Sequence, residues 1–292
     1  MQHPIPQEAF DWYDEYAHGF ISRRTFLTRL STITTASLTM GALLPMLMPD
    51  YAQADQISFN DPDISARYET FSSPLGHGEG RGYLVTPAGP SSKAPAVLVI
   101  HENRGLNPYI KDVARRLAKA GFIAFAPDAL FPLGGYPGND DEGRAMQKSM
   151  DRTKIEQDFI AAAKFLKLNK LCNGKLGAVG FCFGGYVVNM LAASIPETLD
   201  AGVPFYGTPA AKEIRGNIRA PLLIQLAELD KRVNATWPEY EADLQKNNIN
   251  FTMHIYPQAN HGFHNDSTGR YDQANAELAW TRTLAFFKQQ LS

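Results

Sequence analysis

Gly180, Phe181, Cys182, Phe183 and Gly184 form a G-x-C-x-G turn between an apolar run, Leu176 to Phe181, and a stretch, Phe183 to Val188, that reads as the start of a helix. A strand passing directly into a helix at a glycine-flanked residue has few homes. It fits the carboxyl end of a strand in an α/β sheet, where a nucleophile elbow holds its side chain above the sheet. Glycines two positions before and after the central residue let the chain turn without a Cβ clash. The following helix points its N-terminus at the sulfur, which favours thiolate over thiol. The pattern also arises in glycine-rich βα turns, and a free Cys is commonly a small buried hydrophobe. The rest of the chain must decide between these.

Apolar and amphipathic segments alternate around that turn with the spacing of an α/β domain. Residues 67–73 and 80–87 read as an N-terminal hairpin. Ala94 to His101 is a continuous apolar run ending in histidine, the mark of a strand buried on both faces of a parallel sheet. Pro108 to Ala120 has helical periodicity, with Val113 and Leu117 opposed to Lys111 and Arg115, and Gly121 closes it before the strand 122–126. Residues 127–151, rich in Gly, Pro and acids, read as a long loop over one edge of the sheet. A helix over 153–168, a strand over 175–181, strands at 201–205 and 221–226, a helix at 235–247, a strand at 251–256 and a closing helix at 275–290 complete the pattern. The expected fold is α/β: a mostly parallel twisted sheet with helices on both faces, in one domain spanning 55–292.

Residues 1–54 read differently. Ser22-Arg23-Arg24-Thr25-Phe26-Leu27 matches a twin-arginine export signal, an uncharged stretch runs from Ser31 to Met48, and Ala52-Gln53-Ala54 offers a cleavage site. The expectation is an export signal that stands outside the fold, meets the twin-arginine export machinery and leaves a periplasmic chain beginning near Asp55. An uncleaved N-terminal membrane anchor is the alternative. Composition excludes other classes. The 292 residues carry a formal net charge of −2, and no basic block or stripe suggests a nucleic-acid partner. No C-x-x-C or H-E-x-x-H spacing is present, so neither metal nor cofactor is expected.

The chain has two cysteines. Cys172 precedes the strand that Cys182 ends, and ten strand steps at roughly 3.3 Å place their Cα atoms on the order of 20 Å apart. A disulfide needs about 7 Å or less, so Cys182 is expected to be a free thiol.

Two residues have the chemistry and the placement to work with it. Asp230 follows the strand 221–226, and His261 follows the strand 251–256. Nucleophile, acid and histidine then occur in α/β-hydrolase order, each at a strand's carboxyl end. His261 would take the thiol proton, and Asp230 would fix its tautomer. Asp230 could instead cap the helix that follows, Glu228 is a rival acid, and His264 and His101 are rival histidines. Glu102, after the strand 94–101, could accept the thiol proton, hold Cys182 in a resting pose or simply pair with neighbours such as Arg104. The backbone N–H groups of Asn103 and Phe183 fall where an oxyanion hole is built.

With these residues in view the chain resembles the dienelactone hydrolase (carboxymethylenebutenolidase) family from about Glu79 to the C-terminus. The resemblance rests on His101-Glu102-Asn103-Arg104-Gly105, Ala126-Pro127-Asp128, Gly180 to Gly185, Glu228-Leu229-Asp230 and His261-Gly262-Phe263. It implies an α/β-hydrolase fold, a Cys182/Asp230/His261 triad, a part for Glu102 in activating the thiol when substrate arrives, and a small ester or lactone as substrate. Two departures stand out. The family holds a substrate carboxylate with arginines, yet none follows His261 before Arg270, where Asp266 would repel an anion, and the segment 127–140 contains none. A non-catalytic binding protein on the same fold is therefore the competing reading. A thiol redox protein is a weaker one, since Cys182 has no resolving cysteine in reach.

Overall fold

A computed structural model describes residues 5–35, 38–51, 55–89 and 93–292. The chain first forms three short helices, α1 (Gln7–Ala17), α2 (Arg23–Ser31) and α3 (Met40–Leu47). The domain then runs β1 (Ile64–Ser73), β2 (Gly78–Pro87), β3 (Ala94–Ile100), α4 (Pro108–Lys119), β4 (Ile123–Pro127), α5 (Asp140–Ser149) and α6 (Arg152–Lys167). It continues through β5 (Cys172–Phe181), α7 (Phe183–Ser194), β6 (Ala201–Phe205), β7 (Leu222–Ala227), α8 (Lys231–Asn234), α9 (Trp237–Lys246), β8 (Phe251–Tyr256) and α10 (Gln273–Gln290).

The eight strands form one sheet in the order β1-β2-β4-β3-β5-β6-β7-β8. β1 pairs antiparallel with β2, and β2 with β4; every other pairing is parallel. The apolar run 96–100 is wholly buried in β3 because helices cover both faces of the sheet. Buried side chains of α4 and α10 fill one core, and those of α6, α7 and α9 fill the other. This is the single α/β domain that the periodicity predicts.

Two segments differ from expectation. Within 127–151 the chain forms a short 3-10 turn over Phe131–Leu133 and then α5, rather than a loop throughout. The Asn139 side chain accepts from the N–H groups of Asp141 and Glu142, and three acids fill the first turn, so the helix rests on its N-terminal capping and not on an apolar stripe. The helix expected over 235–247 is α9, with Pro238 in its first turn, but a short helix that was not expected, α8, precedes it over Lys231–Asn234.

The N-terminal segment does not stand apart. α1, α2 and α3 share an apolar cluster centred on Phe10, Tyr13, Phe26, Leu30, Leu43 and Leu47, and α1 lies across the carboxyl edge of the sheet. Burying those side chains together lets nine to eleven residues hold helical form that would be marginal alone. The proposed cleavage residues 52–54 lie outside the described residues. Among the described residues no helix is long and apolar enough to cross a membrane.

Candidate active site

Cys182 sits at the junction of β5 and α7 with φ 56° and ψ −111°, a left-handed conformation that a non-glycine residue adopts only when its surroundings enforce it. The flanking glycines are what allow it. A Cβ at Gly180 would lie 2.1 Å from the Gly184 carbonyl oxygen, and one at Gly184 would lie 2.2 Å from that of Ile100. The elbow is thus wedged between β5, α7 and β3, and its sulfur stands at the carboxyl edge of the sheet. Cys172 lies at the other end of β5, and both thiols are free.

His261 and Asp230 converge on that edge from the ends of β8 and β7. Asp230 answers both readings of it at once. Its Oδ1 accepts from the Val233 N–H and caps α8, while Oδ2 accepts from His261 Nδ1 at 2.5 Å. That bond leaves His261 Nε2 without a hydrogen-bond partner, and a ring nitrogen of His261 lies within 4.8 Å of Sγ. Glu228 is turned outward onto Gln258. His264 is buried against Phe181 and bonded to the Tyr109 hydroxyl, and His101 accepts from the Ala129 N–H, so both are structural.

The electrostatics follow from burial set against nearby charge. Burial alone would raise the Cys182 pKa, but the imidazoles of His18 and His261 outweigh it and hold the thiol well below its ordinary 9.0. Burial would lower the His261 pKa. The charges of Asp14, Asp230 and Cys182 overcome this and push it up to about 10. Burial likewise works to raise Asp230, but His261 holds its carboxyl below the usual range.

Asn103 and Phe183 line one cavity of about 250 Å³ with Cys182 and Tyr206. The Tyr206 ring, at φ 38°, lies 4.8 Å from that of His261. Glu102 is buried, but its Oε2 accepts from Asn265 Nδ2 at 3.2 Å and sits 3.8 Å from Arg104 Nε. Among the described residues it makes no hydrogen bond to the sulfur.

The sulfur's hydrogen-bond partner is one that sequence reasoning missed. His18, just past α1, places Nε2 3.2 Å from Cys182 Sγ. Asp14, one turn earlier, puts Oδ1 3.9 Å from His261 Nε2 and 3.9 Å from Arg270 Nη1, and its Oδ2 lies 3.4 Å from Arg232 Nε. Asn103 Nδ2 also donates to the Ala17 carbonyl. An i, i+4 pair of Asp and His was the available signal, but nothing in the sequence said what it faces.

Two arginines approach this edge. Arg270 folds back beneath Gly262, and Arg232 reaches in from α8, so both flank a second cavity of about 250 Å³ beside His261. The Arg270 guanidinium nitrogens are buried without hydrogen-bond partners. Asp266 offers no repulsion there, because Arg116 and Gln56 engage its carboxylate.

A parallel-dominated sheet with a strained thiol elbow, and with an acid and a histidine at the next strand ends, defines an α/β-hydrolase-fold enzyme. The family model for the dienelactone hydrolase family matches residues 81–291, and the chain belongs to that family. A second model, described as YqhI-like, matches residues 1–35. Escherichia coli K12 "Putative hydrolase fragment YghX" is 63% identical over 116 residues, covering 40% of this chain and 99% of that one. A Bradyrhizobium protein named probable 2-oxo-3-(5-oxofuran-2-ylidene)propanoate lactonase is 30% identical over 74% of this chain and 92% of its own. The crystal structure of P91, a dienelactone hydrolase-like promiscuous phosphotriesterase from metagenomic libraries, superposes with a TM-score of 0.68 at 25% identity, covering 79% of this chain and all of that one.

Proposed function

We propose that this chain hydrolyses carboxylic esters or lactones through a Cys182–His261–Asp230 triad. One observation carries the reading: the strained elbow presents Cys182 Sγ within 4.8 Å of a ring nitrogen of His261, whose Nδ1 is held by Asp230 and whose Nε2 is otherwise unpartnered. The thiolate attacks the carbonyl carbon, and the backbone N–H groups of Asn103 and Phe183 hold the oxyanion. His261 gives its proton to the departing alkoxide, leaving a thioester on Cys182. It then takes a proton from water, the resulting hydroxide attacks the thioester, and the carboxylic acid leaves as the thiolate and the charged His261 re-form. Where the sulfur starts as thiol, Glu102 leaves Asn265 as substrate enters, takes that proton and returns it once the sulfur has left the thioester. Arg232 and Arg270 beside His261 favour substrates that carry an acidic group. The family membership and the lactonase relative support the substrate class.

The export reading is part of this proposal. Residues 1–54 act as a twin-arginine signal, and 55–292 works in the periplasm. The exposed side chains of Arg23 and Arg24 support it, since a receptor can reach them on the folded chain. A purified periplasmic protein whose N-terminus is residue 1 or 2 overturns the export reading. For the chemistry the test is p-nitrophenyl acetate and a panel of lactones: Cys182→Ala and His261→Ala abolish turnover, and undiminished turnover in Cys182→Ala overturns the mechanism.

A further inference from the structure

His18, Cys182 and His261 bring a ring nitrogen each and the sulfur within 4.8 Å of one another, with His18 Nε2 3.2 Å from Sγ. Tetrahedral coordination with metal–nitrogen distances of about 2.0 Å and a metal–sulfur distance of about 2.3 Å separates such donors by about 3.3–3.6 Å, so shifts of about 1 Å or less would close the set. More telling is how each imidazole is held. His18 Nδ1 lies 2.8 Å from the Asp14 carbonyl oxygen, which can only accept, so this nitrogen carries a proton and Nε2 is the one that supplies a lone pair when the ring is neutral. His261 Nδ1 likewise donates to Asp230 Oδ2, a carboxylate–histidine arrangement of the kind that orients metal ligands. Each ring is therefore fixed with its other nitrogen free to act as a ligand once it has lost its proton. The three ligands are separated by 164 and 79 positions, which is why spacing motifs give no hint of them.

We propose that the full chain binds one thiophilic divalent cation of the zinc class between His18, Cys182 and His261, and that the bound ion ties the N-terminal segment down over the nucleophile. Thiolate and imidazole donors suit Zn²⁺. Binding releases to solvent the Nε2 proton of each charged imidazole and the thiol proton when that is present, and no electron is transferred. The cavity bordered by Asn103, Phe183 and Tyr206 leaves the fourth position open. Arg232 Nη2, 2.9 Å from His18 Nε2, must swing aside, and its partly exposed side chain has room to do so.

The experiment uses the full chain with Co²⁺ as a spectroscopic probe and Zn²⁺ as competitor. The expected result is a thiolate-to-cobalt charge-transfer band that titrates at one ion per chain, is bleached by Zn²⁺, and persists in Cys172→Ala. Cys182→Ser removes the band. Removing an outer-shell partner costs about 10–100-fold in affinity, so Asp230→Asn weakens binding by that factor and His18→Ala by more. His18→Cys, which supplies another zinc-type donor, retains tight binding and guards against mere misfolding. Undiminished affinity in His18→Ala, or loss of the band in Cys172→Ala, overturns the proposal. The band reads the site whether or not the chain hydrolyses any ester.

Discussion

Replacing Asp14 by alanine should uncover the thiol. In the closed arrangement Asp14 is the one carboxylate within 4 Å of the buried Arg270 guanidinium among the described residues, and it also lies 3.4 Å from Arg232. Removing one partner from a buried ion pair costs about 3–5 kcal/mol, because the other charge is left unmatched. Two features reduce that figure here. The Arg232 side chain is 28% exposed, and the Arg270 contact is 3.9 Å long. A loss of about 2–3 kcal/mol from the closed state remains, or roughly 30–150-fold in the population that lifts α1 away, at 1.36 kcal/mol per factor of ten. The assay is labelling of Cys182, in a Cys172→Ala background, by a maleimide too bulky for the closed cavities. When opening and closing are fast relative to labelling, the rate follows the open population, as it does for proteolysis of transiently opened chains. Asp14→Ala should then label about 30–150 times faster than the parent chain. An acceleration below about threefold would refute the argument that α1 is held over the site by its charge.

Other outcomes follow from the same geometry. With a small alkylating agent, the Cys182 rate should rise less between pH 7 and 9 in the folded chain than in the unfolded chain, because the thiol is held well below its ordinary 9.0. The depressed thiol contributes stability that is full above about pH 9 and lost as pH falls through its folded value. The raised His261 contributes stability that is full below 6.5 and lost as pH rises through about 10. Cys182→Ser should therefore flatten the acid side of a thermal-unfolding profile, and His261→Gln the alkaline side. Gly184→Ala forces a Cβ against the Ile100 and His101 carbonyl oxygens at 2.2 and 2.8 Å, so urea unfolding should show a loss of about 3 kcal/mol, at the upper end for overpacking. Arg270→Met should raise KM for esters bearing a carboxylate by about tenfold and leave neutral esters unchanged, since a charge-assisted hydrogen bond contributes about 1.5–3 kcal/mol.

The domain was legible because its strands announce themselves. Buried parallel strands such as β3 and β6 must be apolar on both faces, so composition alone marks them, and connecting helices such as α4 carry the complementary stripe. The elbow was legible for a steric reason: only glycine fits at positions 180 and 184, so the geometry is written as residue identity. Asp230 and His261 were legible through topology, because a parallel sheet brings successive strand ends to one edge whatever lies between them. α5 was not, since Asp140 and Gly143 meet the buried Arg104 and its backbone, and Arg144 meets Asp141 and Tyr16, instead of forming an apolar face. Arg270 was hidden by counting along the chain from His261, when the turn at Gly262 brings the two together in space.

The N-terminal segment marks a different kind of limit. Its twin-arginine pattern is read by position and composition, and such a reading treats everything before the cleavage site as detachable. Docking is decided instead by complementarity between surfaces that share no sequence period: Asp14 meets Arg232 and Arg270, His18 meets Cys182, and the Ala17 carbonyl meets Asn103. None of those residues is unusual where it stands, and only the folded elbow gives them meaning. The two properties are compatible, since a segment can carry an address along its exposed arginines while its opposite face covers a reactive thiol. A route that carries folded chains would deliver such an enzyme with its nucleophile already shielded, and removal of the segment would expose sulfur, imidazole and both arginines in a single step.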